Sequence, residues 1–145
     1  MPLLKSKLKV YRWLPAVFWM SLIFYLSSQS GQPRYPWLAT LGHIFEYTVL
    51  TAVYLFAIDQ NFPFKLKADV SRLRIKQLAF LAFFLSSFYG FTDELHQYFV
   101  PGRFADPLDL LTDALAAAVV AAGYWLYMQS SNAYNDSWLW EFAIN

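Results

Sequence analysis

Four apolar runs separated by short polar connectors dominate the chain. They lie at about Tyr11–Ser28, Trp37–Ile58, Gln77–Phe99 and Pro107–Met128. Each reaches or approaches the roughly 20 helical residues that cross a bilayer core. Lipid offers no partner to an open backbone, so all four are predicted to be helices. The fold class that follows is all-α, an integral membrane bundle of four transmembrane helices. Pro15 falls in the first turn of the first run and Pro36 opens the second, positions where a missing N–H is harmless. With no internal repeat or low-complexity tract, residues 1–145 read as a single domain with its core at 11–128. The remainder, 129–145, is polar and then aromatic (Trp138, Trp140, Phe142) and reads as a tail along the membrane interface.

The connectors alternate in charge. Lys5, Lys7, Lys9 and Arg12 precede the first run, and Lys65, Lys67, Arg72, Arg74 and Lys76 lie between the second and third. The other two connectors carry one basic residue each, Arg34 and Arg103, and the tail carries none. Basic residues stay on the cytoplasmic side, so both termini are expected there, with the first and third loops outside. The small polar stretch SSQSGQ follows the first run without a clear cleavage triplet, and further apolar runs come after it, so it reads as a retained helix rather than a signal peptide.

Composition agrees. Hydrophobic residues make up 58% and charged residues 14%, against about a quarter charged in soluble domains. The 21% of aromatic residues includes Trp and Tyr suited to the membrane–water boundary. The absence of cysteine excludes disulfides, thiolate chemistry and Cys-ligated zinc. With a net charge of +1 and no basic, aromatic-interleaved stripe, nucleic acid is not an expected partner.

Against this background one stretch stands out. Phe91–Ala117 carries Asp93, Glu94, His96, Gln97, Arg103, Asp106, Asp109 and Asp113. In the predicted topology Asp93, Glu94 and Gln97 lie near the outer end of the third helix. Asp109 and Asp113 open the fourth, His43 and Glu46 sit in the early turns of the second, and Ser27, Ser28 and Gln29 end the first. Four segments thus put polar groups at one depth, within roughly 10–15 Å of their outer ends. His43 with Glu46, Asp93 with Gln97, and Asp109 with Asp113 are each spaced to share a helix face. Ionisable groups inside a membrane usually face an interior or a wet cavity. An acidic pocket in the outer half of the bundle is therefore expected, with Arg103 reaching in from its Pro-Gly turn.

Simpler roles compete. Asp106 before Pro107 fits an N-cap, and Asp109 in the first turn fits the helix dipole. Asp113 is a turn deeper, beyond capping. Asp93 and Glu94 are adjacent carboxylates, which repel unless a cation intervenes. His43 with Glu46 fits a structural hydrogen-bonded pair, Arg103 a snorkelling side chain, and His96 points to the flank. Phe18, Trp19, Phe83, Phe84 and Phe88 read as lipid-facing or packing residues. On the functional side, Asp93, Glu94, His43 and Glu46 are candidates for acid–base chemistry. Gln97, Arg103, Asp109, Asp113 and Gln29 are candidates for holding a ligand. Asp93, Glu94 and Asp113 are candidate metal ligands whose hard oxygens favour Mg²⁺, Ca²⁺ or Mn²⁺.

The run FTDELHQYFVPGR, followed by Asp106 and Asp109 at the start of an apolar helix, resembles the signature of VanZ-like membrane proteins. Ser27-Ser28-Gln29 resembles their Ser-Ser-Gln, and His43 with Glu46-Tyr47 their His-x-x-Glu-Tyr. The likeness extends from about Trp13 to Met128. Two positions depart from the pattern: Asp113 stands where Asn is usual, and Ala116 where Gly is common. The first adds a negative charge to the site, and the second bears on how closely the last helix approaches its neighbours.

The resemblance implies a small multi-pass protein of the bacterial cytoplasmic membrane. The founding member's association with low-level resistance to teicoplanin suits a site that faces the cell wall. Three functional expectations follow. The pocket binds, modifies or moves an amphipathic envelope molecule, either a lipid or a cell-wall precursor, with Arg103 on its anion. Alternatively, the acids and histidine form a proton- or ion-coupled transporter, which with so few helices would need a homodimer. In the third, the polar cluster only holds a non-catalytic scaffold together.

Overall fold

The computed structural model describes residues 10–31, 35–61 and 68–130. The N-terminal basic residues Lys5, Lys7 and Lys9, with Arg34, Lys65, Lys67 and the aromatic tail, lie outside them. The described residues form helices joined by turns: α1 (Leu14–Ser27), α2 (Pro36–Asn61), α3 (Ala68–Tyr98) and α4 (Pro107–Ser130).

Two boundaries differ from expectation. Three helices, α2, α3 and α4, are long and apolar enough to cross a membrane, whereas α1 has 14 residues and a length of about 21 Å. A turn at Trp13, whose N–H bonds the Val10 carbonyl at 3.1 Å, separates α1 from the residues before it. In the other direction, α3 begins at Ala68 rather than near Gln77. Hydropathy marks where a helix meets lipid, and Arg72, Arg74 and Lys76 are good helix formers that carry it beyond that point.

The helix ends explain much of the local sequence. At the end of α1 the Ser28 N–H and hydroxyl both reach the Phe24 carbonyl, at 3.0 and 2.6 Å. The Gln29 amide donates to the Tyr25 carbonyl at 2.9 Å, and its N–H to that of Leu26 at 3.2 Å. These are the carbonyls that a helix C-terminus leaves without an internal donor. Asp106 caps α4, its Oδ1 accepting the Leu108 N–H at 2.8 Å, with Pro107 at the first helical position.

The core is small and lies between the helices. Ala16 and Ile23 of α1 pack with Tyr47, Leu50, Tyr54, Leu55 and Ile58 of α2, Leu78 and Ala82 of α3, and Ala116 of α4. Alanines at 79, 82, 116, 117 and 121 are buried, as suits membrane helices, whose association rests on close packing. Many other large apolar side chains point outward. Phe80, Phe84, Phe88, Phe91 and Leu95 run along the outside of α3, and Leu108, Leu111, Leu115 and Val119 along α4. Phe18, Phe84 and Phe88 are exposed as lipid-facing residues should be. Trp19 instead packs on the core and donates its indole N–H to the Glu46 carbonyl at 2.8 Å.

Polar bonds also hold α1. The Tyr89 hydroxyl donates to the Met20 carbonyl at 2.6 Å, and the Tyr54 hydroxyl lies 3.1 Å from Met20 Sδ. The α1–α2 and α3–α4 connections meet at one end of the bundle, where the Gly31 N–H donates to the Pro101 carbonyl at 3.3 Å. At the opposite end Arg74 pairs with Asp59 at 3.5 Å, and Lys76 lies over the Trp125 ring at 5.7 Å.

Candidate functional site

The polar groups of all four helices converge at the end that carries the α1–α2 and α3–α4 connections, in two adjoining clusters. The first lines a cavity of about 260 Å³ between α1, α2 and α3. Its apolar side is Leu26, Leu38 and Ala39; its polar side is Ser27, His43, Glu46, Asp93, Gln97 and Arg103.

A chain of hydrogen bonds crosses the polar side. Ser27 Oγ donates to Asp93 Oδ1 at 2.6 Å, linking α1 to α3. Gln97 Nε2, one turn beyond Asp93 on α3, donates to Asp93 Oδ2 at 3.0 Å. Arg103 then donates to Gln97 Oε1 at 2.7 Å. Bonds to a buried carboxylate contribute about 1.5–3 kcal/mol each. Both oxygens of Asp93 are thus satisfied by neutral donors, and Arg103 is anchored through an amide rather than a carboxylate. Within the described residues it makes no ion pair.

The Pro-Gly turn delivers Arg103 to this position. The Arg103 N–H bonds the Val100 carbonyl at 3.1 Å, and Gly102 has φ +78°. Pro at the second position and a positive φ at the third define a type II turn. Gly102 also lies against the other loop, where an added Cβ would meet the Gly31 backbone at 3.3 Å.

The second cluster is closed and lies between α2, α3 and α4. His43 Nδ1 is 2.9 Å from Asp113 Oδ1, and His43 Nε2 is 3.7 Å from Asp109 Oδ2. Glu94 Oε2 accepts the backbone N–H of Asp106 at 2.8 Å. The Tyr47 ring stacks nearly parallel to that of His43, with centroids 6.4 Å apart. Below it Thr51 and Ser86 hydroxyls bond across α2 and α3 at 2.9 Å.

These positions redistribute the candidates. Glu46, Asp93, Gln97 and Arg103 line the cavity as a group, whereas Glu94, Asp109 and Asp113 belong to the closed cluster. His43 belongs to both, and its partners are Asp113 and Asp109 rather than Glu46. Asp93, proposed beside Glu94 as a metal ligand, is taken up by Ser27 and Gln97. Because adjacent residues on a helix point about 100° apart, Asp93 and Glu94 face different neighbours. Gln29, proposed as a ligand contact, folds back on its own helix and is exposed. His96 stacks on Phe24 at 4.4 Å and lies 3.0 Å from Ser28 Oγ, outside both clusters.

Two residues outside the candidate acid–base, ligand and metal sets, Gly90 and Ser27, shape the site. Gly90 lies where α3 meets α4, and a Cβ there would fall 3.1 Å from Asp113 Oδ2. Its signal was a lone glycine one turn before the carboxylates. Ser27 had been grouped with Ser28 and Gln29, but it faces inward while they cap α1.

The arrangement can grip an anion through Arg103 and a cation through its carboxylates, with apolar side chains in the same lining. No curated protein and no solved structure matches the chain. A family model described as VanZ/LLP1 matches residues 12–129, nearly the whole bundle and every side chain of both clusters. With three apolar helices long enough to cross a bilayer and polar groups gathered inside, the chain belongs to the VanZ/LLP1 family of membrane proteins.

Proposed function

We propose that the protein binds the anionic head group of an amphipathic envelope molecule, with Arg103 on the anion and the apolar tail leaving past Leu26 and Leu38. The observation that carries this reading is the cavity's mixed lining. Leu26, Leu38 and Ala39 share it with a half-buried guanidinium that Gln97 holds in place without neutralising its charge. A guanidinium suits a phosphate or carboxylate in two-pronged fashion. Glu46 and Asp93 beside it can accept hydrogen bonds from hydroxyl donors on the same head group.

The distribution of basic residues supports an outward orientation, with both termini cytoplasmic and the cavity at the outer leaflet of the bacterial cytoplasmic membrane. A lipid and a lipid-linked cell-wall precursor share this chemistry. A contribution to glycopeptide tolerance belongs to the precursor version alone.

The test is binding by the purified protein in nanodiscs, using a polyprenyl phosphate, phosphatidylglycerol and an uncharged diacylglycerol. The expected order places both anionic lipids above the uncharged one. Arg103→Gln should abolish the difference, a loss of about ten- to hundredfold that corresponds to one charge-assisted bond. Preference for the polyprenyl phosphate would identify the precursor class. Equal affinity for charged and uncharged lipids, or an anion preference that survives Arg103→Gln, would refute the reading. Orientation is read separately by impermeant thiol labelling of Ala105→Cys, since the chain has no cysteine of its own.

A further inference from the structure

His43 stands between the open cavity and the closed cluster behind it. In that cluster one ligand atom each from His43, Glu94 and Asp113 lie within 4.8 Å of one another. The three residues come from three different helices, and all are buried. Glu94 is 5% exposed and Asp113 0%, yet Glu94 Oε1 and Asp113 Oδ2 meet no hydrogen-bond donor. The hydroxyl of Tyr47, whose ring stacks on His43, is likewise buried without a partner. Buried polar atoms normally have partners, and an orphan costs about 1–3 kcal/mol, more for a charged group. Two orphan carboxylate oxygens beside one imidazole are what a bound cation satisfies.

The imidazole geometry fits the same answer. The 2.9 Å between His43 Nδ1 and Asp113 Oδ1 suits a hydrogen bond. It equally suits two adjacent ligands of one cation, which sit about 3 Å apart when each bond is roughly 2.1 Å, and an Asp113 carboxylate bound through both oxygens would also satisfy the unpartnered Oδ2. Asp109 lies behind the other ring nitrogen, at 3.7 Å from Nε2. That is an ion-pair contact rather than a hydrogen bond, and a small closure would let Asp109 accept the free N–H of a metal-bound His43, as second-sphere carboxylates commonly do.

We propose that His43, Glu94 and Asp113 bind one divalent cation, with Asp109 orienting His43. Two carboxylates offset the dication's charge, so the site is close to neutral where it is most buried. One imidazole nitrogen with two carboxylates favours Mn²⁺ or Zn²⁺; Mg²⁺ and Ca²⁺ prefer oxygen ligands throughout. The carboxylates alone had suggested hard cations, and the entry of His43 in place of Asp93 changes that preference. The assignment stands whatever the neighbouring cavity binds, because Arg103 and Gln97 take no part in it.

The experiment is metal loading of the full chain in detergent. Chelator-stripped protein is titrated with Mn²⁺ and with Zn²⁺, followed by elemental analysis and by pulsed electron paramagnetic resonance of the Mn²⁺ form. About one metal per chain is expected, together with a signal from a directly bound histidine nitrogen. The chain has two histidines, so His43→Gln should remove that signal and His96→Gln should keep it. Glu94→Gln and Asp113→Asn should lose tight binding, and Asp109→Asn should weaken it about 10- to 100-fold. Failure of the wild type to hold stoichiometric metal at micromolar concentration would overturn the proposal. So would bound Mn²⁺ without a nitrogen signal, or a signal that survives His43→Gln. If a ligand variant does not fold, the wild-type signal and the Asp109→Asn and His96→Gln comparisons still decide the matter.

Discussion

Gly90 and Asp113 meet where α3 crosses α4, so closely that a Cβ at position 90 would lie 3.1 Å from Asp113 Oδ2 and 3.2 Å from the Tyr47 ring. Asp113 is held from its other side by His43, so it cannot move aside freely. Gly90→Ala should therefore destabilise the bundle. Overpacking typically costs ~1–3 kcal/mol, and the better helix propensity of alanine returns up to about 1 kcal/mol. A net loss of roughly 1 kcal/mol is expected in denaturant titrations of the purified protein. Gly123→Ala, where an added Cβ meets nothing within 4 Å, should be neutral or stabilising. Equal effects at the two glycines would argue against a tight α3–α4 contact.

Ser27→Ala should loosen α1. It removes the 2.6 Å bond to Asp93 and leaves a buried carboxylate oxygen without its donor, at a cost of about 1–3 kcal/mol. Hydrogen exchange should accelerate along α1 more than along α4. Ser28→Ala, which removes contacts to the Phe24 carbonyl and His96 at the partly exposed helix end, should have the smaller effect. The reverse order would mean that the cap, not the cross-helix bond, fastens α1.

Gly102→Ala should impair the site without touching a polar side chain. The backbone there has φ +78°, and the new Cβ would press on the Gly31 backbone at 3.3 Å. A non-glycine residue in that conformation costs about 1–3 kcal/mol. Because Arg103 follows directly, affinity for anionic lipid should fall although the arginine remains. Gly31→Ala has a positive φ of 93° but open space around its Cβ, so it should carry the strain cost alone. Unchanged lipid affinity in Gly102→Ala would separate the turn from the placement of Arg103.

Asp106→Ala should cost about 0.5–2 kcal/mol through loss of the N-cap bond to Leu108. Asp106→Asn should be close to wild type, because the amide oxygen still accepts that bond. The second task of Asp106, donating its backbone N–H to Glu94, survives both changes. Metal loading should therefore remain near one per chain in either variant, and its loss would tie the cap to the Glu94 cluster.

The helices, their order and the shared level of their polar groups were legible because each follows from local pattern. Twenty apolar residues, a proline at a helix start or an aspartate before one are read within a few positions. The pairing of side chains was not. His43 and Glu46 share a helix face, yet the partners of His43 lie on α4, because a helix face fixes direction and leaves the opposing residue to tertiary packing. Asp93 and Glu94 illustrate the same limit. Adjacent in sequence, they point to different neighbours, one to Ser27 and Gln97, the other to the backbone of Asp106. The start of α1 is read a few residues early because the aromatic Tyr11 and Trp13 extend the apolar run across a single charge, Arg12.

That short helix has a consequence for the bilayer. Set across a hydrocarbon core of about 30 Å, a rod of about 21 Å would leave a gap of roughly 9 Å, which the membrane would close by thinning locally or by drawing flanking residues such as Val10 to Trp13 inward. The partners of α1 are longer, so such a deformation would be confined to one flank of the protein. Leu26 and Ser27 at the end of α1 border the cavity on that flank. Head groups drawn down beside α1 would arrive at the depth of Arg103 without leaving their leaflet. The step in hydrophobic thickness would then serve as the approach to the site.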